Sequence, residues 1–237
     1  MEFQKLSAPS LKELFIKQLQ GMILSGELPI GTRLPPEREL ANQMQVSRAV
    51  INGGILELEK QGFLEIHPRQ GTVVADYRSK GNLSTLIAIM EYQGGVLGDE
   101  EIRSVLEVRR ALEHLVVERA IKYASDAELD RLGEIVASLA EAKTPEAAAD
   151  ISFQFQHTLA LISGDHIIPL FYYSFRAAVI SLWIRFCRLY GLDALRHNTE
   201  TLYYHLRARN QEAAAQWIDA YLGEAISGRQ QIYEKRI

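Results

Sequence analysis

The chain has 237 residues, a length that suits either one large domain or two smaller ones. Its composition, with 47% hydrophobic and 24% charged residues, is that of a folded globular protein and excludes a disordered or collagen-like chain. The formal net charge of −4 excludes a general polyanion binder but leaves room for a local cationic surface.

The first 76 residues are predicted to form three short helices followed by a β-hairpin. Apolar residues at helical spacing predict a first helix that begins near residue 11 and stops at Gly26. A second helix starts directly after Pro35 and Pro36, where proline is well tolerated, and a third has Ser47 as its N-cap. Alternating apolar and polar residues over 63–74, with a turn at 68–71, predict the hairpin.

The second and third helices have the pattern of a helix-turn-helix, in which the N-terminal residues of the second helix reach base edges in DNA. Residues 44–46 form the turn, and Ser47 and Arg48 open the recognition helix. Ser47 can donate to a phosphate, and Arg48 can donate two hydrogen bonds to guanine O6 and N7. Arg38 can meet the DNA backbone or a base, and Arg69 at the hairpin tip can enter the minor groove.

The net charge of residues 1–76 does not distinguish DNA binding from protein docking, a role that three-helix heads also serve. Residues 1–76 contain eight Lys and Arg against nine Asp and Glu, and a lone arginine on a helix is usually a solvated surface group. From these features alone, nucleic-acid binding and protein docking both remain open.

The recognition helix carries two adjacent glycines, Gly53 and Gly54, each of which costs about 1 kcal/mol relative to alanine in a helix interior. Two explanations compete: a neighbouring element packs very close there, or the helix orders fully only on DNA. We favour close packing. It predicts that Gly54→Ala perturbs the packing of this region, whereas Gly53→Ala is mild or stabilising.

The rest of the chain is predicted to be an all-helical bundle. Residues 77–82 are interpreted as a linker between a first domain, 1–76, and a second, 83–237. Ser125 and Glu128 form a capping box, Thr144 caps the helix that Pro145 opens, and Gly191 stops a very apolar helix. The predicted helices cover residues 83–92, 99–123, 126–143, 145–164, 169–190, 193–209 and 211–235.

Several absences predict a cytoplasmic protein without membrane contact. The single cysteine, Cys187, cannot form an internal disulfide, and the N-terminus has no apolar signal core. The longest uninterrupted apolar run, residues 177–184, is far shorter than the ~20 residues that span a bilayer. No enzyme motif, such as a phosphate-binding glycine loop or G-x-S-x-G, is present.

Fixed residues at fixed spacing over the first third of the chain resemble the winged helix-turn-helix of the GntR superfamily of bacterial repressors. The matching positions are Gly26, Leu28, Gly31, Leu34, Pro35, residues 37–41, residues 46–48, Ile55, Leu58, Gly62, Gly71, Thr72 and Val74. Where the family usually has Arg-Glu-Ala, this sequence has Asn52, Gly53 and Gly54, so Asn52 is expected to meet an adenine or a phosphate instead. The predicted DNA-binding residues are Arg38, Ser47, Arg48, Ala49, Asn52, Arg69 and Gly71.

The helical remainder resembles the FadR subfamily, whose effector domain is an antiparallel bundle of six or seven helices. Many members hold a divalent metal through one Asp and three His. The corresponding positions here are Ser152, Gln156, Thr199 and Tyr221. Because none of these is a family ligand, we predict no metal at the usual place and no cofactor. A shifted site near Asp150, His157 and His205 is the alternative.

The resemblance also implies a small-molecule effector, either an acyl-CoA or a carboxylate. The acyl-CoA contacts of the name-giving member are not kept at Leu222, Ala225 and Arg229. Arg109 is the candidate for an anionic group, although it could simply pair with Glu113 one turn on. The predicted effector-binding residues are Arg109, Glu113, Gln156, Trp183, Tyr203 and Tyr221.

The sequence therefore predicts a homodimeric transcriptional repressor that binds a palindromic double-stranded operator and responds to an effector. The alternative is a helical protein-docking adaptor that keeps the winged-helix head without specific DNA binding. The predicted fold is mainly α, with a winged helix-turn-helix of three helices plus β-hairpin and a C-terminal helical bundle.

Overall fold

The computed structural model describes residues 9–92 and 99–232. The chain divides into two compact units, residues 1–94 and 95–237. Within the described ranges, no helix has the length and apolar character required to cross a membrane.

The first unit contains a helix-turn-helix and a two-stranded antiparallel sheet. Its elements are α1 (Leu11–Leu24), α2 (Glu37–Gln43), α3 (Arg48–Lys60), β1 (Leu64–His67), β2 (Gly71–Val74), α4 (Tyr77–Lys80) and α5 (Leu83–Tyr92). The hairpin that the alternating pattern predicted is present, and in it Leu64 pairs with Val74 and His67 with Gly71. The observed fold confirms a winged helix-turn-helix.

Caps and burial explain why these helices form where they do. Ser10 and Glu13 form a capping box at the start of α1, and the Ser47 hydroxyl accepts a hydrogen bond from the backbone N–H of Val50, 3.3 Å away, at the start of α3. One core unites the three helices and the hairpin. Its fully buried members are Ile51, Leu58, Phe63, Leu64 and Val74.

The segment 77–92 belongs to the first unit, whereas the sequence analysis interpreted 77–82 as a linker and assigned residues from 83 onward to the bundle. Tyr77 is buried, with its ring centroid 5.4 Å from that of Phe63. The Tyr92 hydroxyl donates to the backbone oxygen of Gly21 at 3.0 Å, which ties the end of α5 to α1. The two residues of each contact are distant from one another in the sequence. Local sequence patterns therefore could not have predicted these contacts.

The second unit is helical throughout its described residues. Its elements are α6 (Asp99–Tyr123), α7 (Asp126–Ser138), a 3-10 turn (Leu139–Glu141), α8 (Pro145–Ile162), α9 (Ile168–Ser174), α10 (Arg176–Tyr190), α11 (Leu192–Arg207) and α12 (Gln211–Ile226). The Ser125 capping box and the Thr144 cap are present as predicted. α8 packs against α6, α7, α9, α10 and α11, so its buried face lies at the centre of the unit.

Three helices differ from the predicted bounds by more than two residues. The helix predicted over 126–143 ends at Ser138, and a 3-10 turn follows it to Glu141. The helix predicted over 169–190 is broken at Phe175, which is buried and has a backbone ψ of 8°, outside the helical range. The last helix ends at Ile226 rather than near residue 235. A turn at residues 227–230 follows it, and Ile232 beyond this turn is buried. The predicted bounds beyond residue 232 lie outside the described residues.

Candidate functional site

The N-terminal turns of α3 present an exposed polar face. Arg48, Ala49 and Asn52 are exposed on this helix, while Ile51 and Ile55 on the opposite face are buried. The Asn52 side-chain amide donates to Glu37 Oε1 on α2 at 3.4 Å, a long contact that leaves the residue accessible. The structure therefore positions these three predicted residues together on one accessible surface.

Three arginine side chains of the first unit have no protein partner among the described residues. Arg38, Arg48 and Arg69 are exposed, and among the described residues none of their guanidinium groups has a hydrogen bond or an ion pair. Arg69 lies at the hairpin tip in a left-handed conformation, with φ 66°. Gly71 beside it has φ 100°, a backbone conformation that favours glycine. Unpaired arginines are available to phosphates or base edges.

The two glycines of α3 have different environments. A Cβ built on Gly54 would lie 2.2 Å from Cδ1 and 2.6 Å from Cε1 of Phe15, a residue of α1 that is itself buried. A Cβ on Gly53 would meet only Lys12 Cδ, at an ordinary 3.6 Å. Close packing of α1 on α3 thus accounts for Gly54, the explanation that the sequence analysis favoured.

The second unit contains a small, partly open cavity between α6, α8, α10, α11 and α12. The cavity has a volume of about 40 Å³, which is enough for a few water molecules. Its polar lining residues are Arg109, Ser152, Gln156, Asn198, Thr199 and Tyr221, and Leu106, Leu182, Trp183, Phe186, Leu202 and Ile232 contribute apolar walls. All four positions at which the family resemblance places metal ligands therefore border one cavity.

A fully buried carboxylate organises the polar side of this cavity. Glu113 accepts hydrogen bonds from Arg109 Nε at 3.2 Å, from Gln156 Nε2 at 2.8 Å and from the Tyr221 hydroxyl. The guanidinium carbon of Arg109 lies 4.9 Å from the ring centroid of Trp183, within cation–π range. The predicted Arg109–Glu113 pair is present, and it forms part of a larger network across α6, α8 and α12.

Burial and charge set the protonation of this network. Burial, the largest single effect, opposes the charged form of Arg109, but Glu113, Tyr221 and Tyr172 together outweigh it and raise the pKa of the guanidinium. Burial, with Glu113 as the next cause, raises the pKa of the phenols of Tyr172 and Tyr221. Both hydroxyls therefore stay protonated, and that of Tyr221 donates to Glu113.

Three buried polar atoms beside this network have no partner among the described residues: Ser152 Oγ, Gln156 Oε1 and Tyr172 Oη. An unpaired buried polar group costs about 1–3 kcal/mol, so native proteins seldom keep several together. Ser152 and Gln156 lie one turn apart on α8 and both line the cavity. These two atoms mark the cavity as a place where a polar ligand would be stabilised.

The residues at the four metal-ligand positions do not fit the divalent metal of the subfamily that this chain resembles. Ser152, Gln156, Thr199 and Tyr221 supply two hydroxyls, an amide and a phenol, where a metal prefers imidazole or carboxylate. The one carboxylate at hand, Glu113, already accepts three hydrogen bonds.

The alternative cluster at a shifted position does not form either. Asp150 pairs with Arg176, His157 stacks on Phe153 at 5.7 Å between centroids, and the ring of His205 contacts Tyr204. Throughout residues 9–92 and 99–232, no group of three or more His, Cys, Asp or Glu side chains could hold a metal ion.

Two predicted effector residues are not among those that line the cavity: Glu113, which is buried behind Arg109 and Gln156, and Tyr203. Tyr203 does not line the cavity, because its hydroxyl packs over Gly133 of α7. The residues of α11 that do line it are Leu195, Asn198, Thr199 and Leu202, a helical stripe at i, i+3, i+4 and i+7. This spacing would have found Asn198 and would have excluded Tyr203, which is one residue beyond the stripe.

Each of the two units matches a known protein family. Residues 12–74 match the family described as bacterial regulatory proteins, gntR family. Residues 104–224, just over half of the chain, match the FCD domain. The first match covers the helix-turn-helix and hairpin, and the second covers most of the helices around the cavity.

Individual proteins of known sequence or structure are also similar to this chain. The HTH-type transcriptional regulator Mce2R of Mycobacterium tuberculosis is 28% identical over 178 residues, covering 75% of this chain and 74% of the relative. The fatty acid metabolism regulator protein of Shewanella halifaxensis is 28% identical over 164 residues, covering 68% and 65%. A structure of Lar, described as controlling the Listeria monocytogenes agr system, shares the fold with a TM-score of 0.65 at 16% identity, covering 93% of this chain and 97% of that chain.

Proposed function

Because the chain belongs to the gntR family of bacterial regulatory proteins and carries an FCD domain, we propose that it is a transcriptional repressor whose operator affinity is controlled by a small organic acid. It acts as a homodimer, and its two recognition helices enter successive major grooves of a palindromic operator. Effector binding in the FCD domain weakens operator binding.

The observation that carries the DNA-binding proposal is the first turn of α3. Arg48 is exposed there, one residue after the N-cap, without a partner among the described side chains. Arg38 on α2 and Arg69 at the hairpin tip are exposed and unpaired in the same way within the described head, and they supply phosphate or minor-groove contacts. Asn52, in place of the usual arginine, gives this protein an operator that differs from those of relatives that keep the arginine.

The effector proposal rests on the cavity of the second unit. Its volume of about 40 Å³ is far below the 300–1,000 Å³ of sites for drug-sized ligands, so a long acyl chain does not fit without expansion. Arg109 provides a fixed positive charge at the cavity wall. Together these features favour a small organic acid over an acyl-CoA, even though one relative is named a fatty acid metabolism regulator.

Replacing Arg48 with alanine tests the DNA-binding role. We expect the affinity for an operator selected from a random duplex library to fall about ten- to a hundredfold, since one bidentate base contact is worth about 1–3 kcal/mol. Affinity for random duplex should fall much less. The measurement is fluorescence anisotropy at several salt concentrations, because the salt dependence separates phosphate contacts from base contacts.

Lys60→Ala is the matched control, because Lys60 is also exposed and basic but lies in the last turn of α3. It should leave operator preference unchanged. If Arg48→Ala and wild type discriminate equally between operator and random duplex, Arg48 does not read bases. If no duplex is selected from the library, the repressor proposal fails and a docking adaptor becomes the better interpretation.

A further inference from the structure

We infer that Glu37 determines part of the DNA sequence preference by fixing the orientation of the Asn52 side chain, which then reads adenine and rejects guanine. The inference rests on the proposed DNA-binding function and deepens it, because it adds a positioning residue and names the base that is read. Glu37 is the first residue of α2, and Asn52 lies in the second turn of α3.

The Asn52 amide has one favourable orientation towards Glu37. A carboxylate accepts hydrogen bonds and donates none, so the amide nitrogen of Asn52 faces Glu37 Oε1, 3.4 Å away. The amide oxygen of Asn52 must then point away from the carboxylate. Glu37 is half-buried, whereas Asn52 is exposed, so the carboxylate is the more confined of the two partners.

This contact leaves Asn52 with one N–H donor and one oxygen acceptor for DNA. A side-chain amide has two N–H donors and one oxygen. One donor is directed to Glu37, and within residues 9–92 and 99–232 neither the second N–H nor the oxygen has a protein partner. Asn52 is exposed on the same face of α3 as Arg48 and Ala49. It therefore presents a donor beside an acceptor on the surface proposed to enter the major groove.

Adenine is the base whose major-groove edge complements these two groups. It offers N7 as an acceptor and the N6 amino group as a donor, whereas guanine offers two acceptors, N7 and O6. Guanine would need both N–H groups of Asn52, and one of them is directed to Glu37. A phosphate also has only acceptors, so it would meet the amide oxygen and the nearby carboxylate unfavourably. Glu37 thus orients Asn52 for adenine and penalises guanine.

Selection from a randomised duplex library, followed by fluorescence anisotropy with single-base variants of the selected operator, tests this assignment. Asn52→Ala identifies the operator position that Asn52 reads, because the base preference should disappear there and persist elsewhere. In the wild-type protein we expect adenine at that position. Its replacement by guanine should weaken binding about five- to a hundredfold, the range of a two-bond base contact.

Glu37→Gln should reduce this adenine-to-guanine ratio to about two or less, because a glutamine amide can face Asn52 with either its nitrogen or its oxygen and no longer fixes it. Glu37→Asp keeps the charge but shortens the side chain by one carbon, and it should also lower the ratio. Glu39→Gln is the matched control. Glu39 is exposed on the same helix and accepts from the Gln43 side chain at 3.1 Å, so this variant removes the same charge and should keep the wild-type ratio.

An unchanged ratio in Glu37→Gln would show that Glu37 does not position Asn52, and an equal fall in Glu39→Gln would assign the effect to charge alone. A preference for another base at the position that Asn52 reads, or no position that responds to Asn52→Ala, would also overturn the inference. These outcomes leave the repressor proposal intact, because an operator has been selected. A chain that selects no duplex fails the proposed function and this inference with it.

Discussion

Replacing Glu113 with leucine is expected to destabilise the second unit by about 3–5 kcal/mol, since removal of one partner leaves a buried charge unpaired. Glu113 is fully buried, and the Arg109 side chain is only 16% exposed. The substitution also removes the acceptor of the Tyr221 hydroxyl and of the Gln156 amide. These losses far outweigh the apolar surface that leucine adds.

Tryptophan fluorescence during urea unfolding measures this change in one unit alone. The chain has two tryptophans, Trp183 on α10 and Trp217 on α12, and both lie in the second unit. Their emission therefore reports its unfolding separately from that of the head, which matters because a chain of two units need not unfold in one step.

A second substitution, Arg109→Met, determines whether the effect comes from the ion pair. The double variant should be more stable than Glu113→Leu alone, because the unpaired charge is gone. If the double variant is less stable than the single one, the two side chains do not act as a buried pair, and the network around the cavity needs another explanation.

Replacing Gly54 with alanine should destabilise the first unit by about 1–2 kcal/mol. The new methyl group would lie 2.2 Å from Phe15 Cδ1, and Phe15 is buried and cannot move aside freely. Overpacking costs about 1–3 kcal/mol, and an approach of 2.2 Å places Gly54→Ala in the upper part of that range. This cost exceeds the gain of about 1 kcal/mol in helix propensity. Gly53→Ala should stabilise by up to about 1 kcal/mol, because its methyl group meets only Lys12 Cδ at 3.6 Å.

Hydrogen exchange of α3 peptides measures these changes, because the head contains no tryptophan. A Phe15→Leu substitution should recover part of the stability lost in Gly54→Ala, because the smaller side chain makes room for the methyl group. If Gly54→Ala proves to be the stabilising change, the close-packing explanation is wrong and α3 is better understood as a helix that orders on DNA.

The local elements of this protein follow from short stretches of sequence. Ser47, Ser125 and Thr144 start helices because a side-chain oxygen satisfies a free backbone N–H there, wherever the helix later packs. Alternation around the turn at Arg69 similarly specifies the hairpin. The family resemblance also placed Gln156 and Tyr221 at one site, although they lie on two different helices, α8 and α12.

Tertiary structure decided what each of these elements packs against. The sequence could not show that Phe15 leaves no room for a side chain at Gly54, or that α5 packs against α1. It left open whether Arg109 binds an anionic group or pairs with Glu113, whereas the structure shows this pair together with Gln156 and Tyr221 from two other helices. The physical reason is that capping and periodicity act over a few residues, whereas burial and unpaired polar atoms depend on residues that meet only in the folded chain.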